Sequence, residues 1–268
     1  MRNLSTVFLT LSVALLVAGA SLSIPKAQSA PPEANRRPVV VELFTSEGCS
    51  SCPPADALLQ KLQAQQPVAG AEIIALEEHV DYWNHDGWVD PYSSPEWTER
   101  QQVYVSLNRN DAYTPEMVVD GRSQFVGNDE HEARLEIAKA ARASKTEVSI
   151  TVKAYTNGSQ RFSVSVGKIG GNNANDGAEV WLAVTEDGLN SSVSRGENSG
   201  RVLHHVATLR SLSEIGVADL RGAAVSFTGD PLVKIGPHWN VENLHVTVFV
   251  QDKKSREILG AASMKIKG

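Results

Sequence analysis

From Val39 the chain reads Val-Val-Val-Glu-Leu-Phe, a short apolar run of the kind that forms a strand buried on both faces. A turn over 45–48 follows, then a helix that carries Pro53 and Pro54 in its first turn, where a missing amide donor is tolerated. Leu58, Leu59 and Leu62 give that helix one apolar face, and 71–76 reads as a second strand. Strand, helix, strand predicts a parallel pair joined by a crossover. Further on, 96–107 has helical character. Met117-Val118-Val119 and Gln124-Phe125-Val126 flank Asp120-Gly121, a hairpin-turn pair. Asp129 stands three residues before Glu132, as in a capping box, and predicts a helix through Ala143.

After Ser144 the period changes from helical to alternating. Val148, Ile150 and Val152 alternate with Ser149, Thr151 and Lys153, and Asn157-Gly158 turns the chain into the alternation of Phe162, Val164 and Val166. Beyond a polar glycine loop at 167–177, further strands are expected at 180–185, 202–210, 223–228, 244–251 and 258–266. That spacing predicts an antiparallel sheet or sandwich. The expected organisation is therefore a signal peptide and linker at 1–30, one domain at 38–145, and a β-rich C-terminal domain at 146–268.

The 268 residues are 41% hydrophobic with a formal net charge of −6, which gives a real core and no basic face. A nucleic-acid partner is excluded on that charge. At the start, Arg2, an apolar run from Val7 to Ala20 and the small residues after it look like an export signal. The run is shorter than the about 20 residues a membrane span needs, and no second apolar segment is long enough. The expected location is periplasmic or secreted, with no transmembrane span beyond the signal.

Cys49 and Cys52 are the only cysteines in the chain. A bond between residues three apart closes a tiny loop and constrains little, so chemistry explains the pair better than stability does. A thiol at a helix N-terminus meets unpaired amides and the positive end of the helix dipole, which stabilise a thiolate. Cys49 is the expected nucleophile and Cys52 the resolving thiol. Zinc sites also use this spacing but want four ligands, and no other cysteine is present. An inert disulfide is the plain alternative.

The segment VVVELFTSEGCSSCPPAD, Val39 to Asp56, resembles a secreted thioredoxin-like family of unknown function with the signature ELFTSxGCSSCPPAD. His79-Val80-Asp81-Tyr82-Trp83, Gly87-Trp88, Asp90-Pro91, Ser93-Ser94-Pro95, the run from Tyr113 to Gly121, and Arg195-Gly196-Glu197-Asn198 with Gly200-Arg201 are similar to it too. The resemblance covers most of the chain after the signal. It implies an α/β class: a thioredoxin-like domain followed by a C-terminal antiparallel β domain or extension, in exported bacterial proteins. In that fold Thr114-Pro115 would be a cis-proline beside the disulfide, with Thr114 backbone groups open to a partner strand. Glu42 resembles the buried acid of thioredoxins but lies one residue further from the first cysteine, and Glu47 stands where it opposes a thiolate.

The candidate catalytic residues are thus Cys49, Cys52, Thr114 and Pro115, with a protein or small thiol or disulfide as substrate and no cofactor or metal ligand assigned. The rival function is a copper-handling module using Cys49, Cys52 and His79, since soft thiolates select Cu(I); a third is a non-catalytic interaction protein. His79 and Asp81 are expected at the site end of the second strand. His204-His205, being neighbours on a strand, point to opposite faces and make a poor chelate. The aromatic stretch over 82–113 reads as packing ahead of a ligand rim. The loop from Arg195 to Arg201 reads as a turn holding the two halves together ahead of an anion site.

Overall fold

The structure, a computed structural model, describes residues 36–85, 87–108, 111–170, 177–219 and 224–266. The expected export signal, and 171–176 of the glycine loop, lie outside them. Strand β1 (Arg37–Thr45) and strand β2 (Ala71–His79) are parallel, with Arg37 opposite Ala71 and Thr45 opposite His79. Helix α1 (Pro53–Gln65) is the crossover between them, and its Leu58, Leu59 and Leu62 pack on Val39, Val41, Leu43 and Ile73. Helix α2 (Pro95–Asn108) leads to β3 (Glu116–Val119), which runs antiparallel to β1 with Phe44 opposite Glu116. The hairpin to β4 (Ser123–Val126) turns at Asp120 and Gly121, both at positive φ, 49° and 68°. Helix α3 (Glu130–Ala140) is capped by Asp129, which accepts the Glu132 amide at 3.0 Å.

The α/β class, with a thioredoxin-like domain and a separate antiparallel β domain, is overturned. The protein is mostly β: fourteen strands against three α-helices among the described residues. After β5 (Val148–Thr156) and β6 (Ser159–Gly167) come β7 (Ala178–Glu186), the short hairpin of β8 (Leu189–Ser192) and β9 (Val202–His205), and β10 (Thr208–Ala218). Strands β11 (Val225–Gly229), β12 (Leu232–Lys234), β13 (Leu244–Asp252) and β14 (Ile258–Lys265) complete the chain. One mixed sheet of eight strands runs β14-β13-β7-β10-β2-β1-β3-β4 and draws on both halves.

The physical reason lies at the edge of β2. Its unpaired backbone is a template for another strand. β10 takes it in parallel, Thr208 opposite Glu77. Side chains follow the same route: Val40, Ile74, Leu76 and Trp97 share a buried cluster with Ala183, Leu209, Phe249 and Ile258. Burying such a shared face removes apolar surface from water at about 25 cal/mol per Å², which two separately solvated faces would forgo. The remaining strands β5, β6, β11 and β12 form a four-stranded sheet. It packs Phe162, Val164 and Val166 onto Val180, Val184, Val246 and Val248.

Candidate functional site

At the C-terminal end of β1 the chain leaves the sheet through Ser46-Glu47-Gly48 and reaches Cys49, which is disulfide-bonded to Cys52. Cys52 is the N-cap residue of α1, directly before Pro53 and Pro54. Both cysteines are wholly buried, although Ser50 and Ser51 between them are exposed. The far half of the chain holds this turn. The Asn198 amide donates to the carbonyls of Glu47 and Cys49, each at 2.9 Å. The Ser50 amide donates to Glu197 Oε2 at 2.9 Å, and Arg201 donates to Asn198 Oδ1 at 2.9 Å. The loop from Arg195 to Arg201 is thus a polar clasp on the cysteine turn.

The Thr114–Pro115 peptide bond is cis. With Phe44 opposite Glu116, Pro115 sits at the end of β3 beside Thr45, where the cysteine turn begins. Trp83 links the two segments. Its indole donates to Thr114 Oγ1 at 2.8 Å. Its own backbone oxygen would stand 3.1 Å from a Cβ placed on Gly48, so only glycine fits there without displacement. Cys49, Cys52, Thr114 and Pro115 therefore share one end of the sheet.

Beneath the turn lies a buried acid–histidine cluster. Thr45, Glu77 and His79 point to the same sheet face as Val41 and Ile73, as the two-residue period requires. His79 Nδ1 is 2.7 Å from Asp90 Oδ2, and Asp90 also accepts the amides of Glu47 and Tyr92 at 2.8 and 2.9 Å. His205, from β9, has Nε2 3.0 Å from Glu47 Oε1 and Nδ1 3.3 Å from Glu77 Oε1. Thr208 Oγ1 donates to Glu77 Oε2 at 2.9 Å, and Trp88 donates to Glu47 Oε2 at 2.8 Å. The rings of His79 and His205 meet edge to face, 4.6 Å between centroids, and Tyr92 lies against both.

Electrostatics follow from that crowding. Burial works against a charged His205, but the Glu77 charge and the Glu47 contact outweigh it and hold its pKa at about 9. For His79 burial is likewise overcome, by Asp90 and Glu77, and its pKa is raised. Burial would raise Glu77, yet His205 and His79 keep it at about 2. Asp56, one helical turn after Cys52, is the opposite case. Burial and then the Glu77 charge push it up to about 7, despite a 2.6 Å hydrogen bond from Thr45 Oγ1.

Several residues do work elsewhere. Glu42 lies on the opposite face of β1, where it accepts from Arg100 Nε at 2.5 Å and Tyr104 at 2.7 Å. Asp81 accepts from Thr98 in α2 at 2.6 Å. His204 is exposed, and its neighbour His205 is buried, as strand alternation dictates. Trp97 and Tyr104 are buried in the core, in line with packing. The loop from Arg195 to Arg201 does hold the two halves together, as read from the sequence. Asp56, Glu77 and Asp90 are the site residues to which sequence reasoning gave no role, and His205 was read as an ordinary strand histidine. Asp56 alone left a local sign, its four-residue distance from Cys52 on one helix.

These features define a mostly β protein whose one disulfide closes a Cys-x-x-Cys turn at a helix N-terminus, above a buried acid–histidine cluster. Residues 40–251 match the family described as protein of unknown function, DUF1223, and the chain belongs to that family. Among solved structures it is similar to protein AGR_C_4864 from Agrobacterium tumefaciens, at 27% identity and a TM-score of 0.62, over 84% of this chain and 93% of that one. HBP35 of Porphyromonas gingivalis shares the fold at 14% identity and a TM-score of 0.59, over 86% of this chain and 76% of that one. No curated protein matches. Among the described residues no helix is long and apolar enough to cross a membrane.

Proposed function

We propose that the protein is an exported thiol–disulfide exchange protein that works through Cys49 and Cys52 on a protein or small thiol partner. The observation that carries this reading is an isolated Cys-x-x-Cys disulfide at a helix N-terminus, at the same end of the sheet as Thr114 and Pro115. A thiolate of the partner attacks Cys49 Sγ; the mixed disulfide forms and Cys52 leaves as the thiolate. A second partner thiol then displaces Cys49, so the partner gains a disulfide and the protein two thiols. The same steps reversed reduce a partner. The helix dipole favours each thiolate formed at its N-terminus. Asp56, held near neutrality by burial, puts no full charge against them at pH below about 7. Thr114 backbone groups would take the partner's extended strand.

The clasp sets the condition for exchange: Asn198 and Glu197 must release the turn before a partner reaches either sulfur. The export signal read from the first thirty residues supplies the oxidising compartment in which such chemistry runs. Cys52→Ser should hold the mixed disulfide on Cys49, and mass spectrometry of the trapped species names the partner. Absence of any Cys49-dependent adduct, in cells or with purified dithiols, would reject the reading.

A further inference from the structure

Glu77, His79 and His205 converge in the buried cluster, and their donor atoms all lie within 4.8 Å of one another. We propose that these three residues bind one divalent transition-metal ion of the zinc class. The first argument is spacing. Zinc holds nitrogen and oxygen donors at roughly 2.0–2.1 Å, and tetrahedral geometry then sets neighbouring donors about 3.3 Å apart. His205 Nδ1 is 3.3 Å from Glu77 Oε1, and His79 Nε2 is 3.4 Å from Glu77 Oε2. The two contacts fall one on each oxygen of the Glu77 carboxylate, at the separation expected for ligands of one ion.

The second argument is an orphan atom. His79 Nε2 is completely buried and makes no hydrogen bond. Leaving such a group unsatisfied costs about 1–3 kcal/mol, and a metal ion between it and Glu77 would satisfy it. The third argument is the outer ring of partners. Metal-binding histidines nearly always donate their other ring N–H to a carboxylate or carbonyl. Here His79 Nδ1 meets Asp90 and His205 Nε2 meets Glu47, while Thr208 fixes the Glu77 carboxylate. Each ligand is thus held by a second partner, and the donor atoms of the three lie within 4.8 Å of one another.

The donor set has two imidazoles and a carboxylate and no sulfur, which suits zinc, cobalt(II) or iron(II) and not Cu(I). The ion would join β2 to β9. Through Glu47 it would also tie the cysteine turn to that junction. The inference is independent of the exchange reading, because neither cysteine is a ligand.

The test is titration of chelator-treated, untagged protein with Co(II) and then Zn(II). Wild type and the Cys49→Ser/Cys52→Ser variant should each take up one equivalent. Both should give the visible ligand-field bands of low-coordinate cobalt without thiolate charge-transfer absorption. His205→Gln should weaken binding by about 100-fold or more, and Thr208→Val, which spares the ligands, by about 10-fold. Should His205→Gln fail to fold, Thr208→Val decides alone. No uptake by wild type at micromolar metal would overturn the proposal. So would uptake unchanged in the folded variants, or uptake lost with the two cysteines; the last outcome would leave the cysteines as the ligands.

Discussion

Asn198 holds the disulfide turn by two hydrogen bonds from one side-chain amide, and it is itself wholly buried. Asn198→Ala should therefore cost about 1–3 kcal/mol of stability, because two buried carbonyls lose their donor. The same change should speed reduction of the native disulfide by dithiothreitol several-fold, read by quenched alkylation. An unchanged reduction rate would mean that the clasp is not what shields the sulfurs. A second residue, Glu116, gives a pH test outside the histidine cluster. Burial raises its pKa from 4.5 to about 7, although Gln101 donates to it at 2.8 Å. Below pH 4.5 the carboxyl is protonated whether folded or unfolded, so its stabilising protonated form is fully available. As pH rises through about 7 the unfolded chain gains by ionising and that stability is lost. Glu116→Gln should gain on wild type between pH 4.5 and 8, in urea midpoints measured at both ends; a constant gap between the two proteins would contradict the assigned shift.

Elements that depend on local pattern were legible in the sequence, and those that depend on distant partners were not. The Asp120-Gly121 hairpin, the Asp129 cap and the β1-α1-β2 crossover follow from turn chemistry and periodicity, and the structure shows all three. The stretch 202–210 reads as one strand but forms two, because Ala207 takes a positive φ of 49° between β9 and β10. His205, at the end of β9, meets Glu77, 128 residues away in sequence, and no local signal carries such a meeting. The hairpin also meets the far half directly. A Cβ on Gly121 would stand 1.9 Å from the Arg256 carbonyl oxygen, at a φ of +68°. Gly121→Ala should destabilise by about 2–4 kcal/mol, since left-handed backbone and a backbone clash add. A midpoint within experimental error of wild type in chemical denaturation would show that the β13–β14 turn yields freely.

On the scale of the whole molecule, one sheet and one shared core span the halves that the change of period at Ser144 marks off. The alternation after Ser144 announced a β-rich second half, yet nothing in an alternating pattern says which edge a strand will join. The edge was β2, and the consequence is that the far half supplies the clasp and one member of the histidine cluster. Unfolding should accordingly be a single transition, coincident by tryptophan fluorescence and far-ultraviolet circular dichroism. Two separated transitions would restore two independent halves. The central claim, that Cys49 and Cys52 form an exchange centre and not a structural staple, is tested most directly by equilibrating the native protein in glutathione buffers of graded poise. Alkylation and intact mass then count the thiols. The account predicts a reversible two-electron transition of the folded protein, abolished by Cys49→Ser. Cysteines that become reducible only after the protein is unfolded would contradict it.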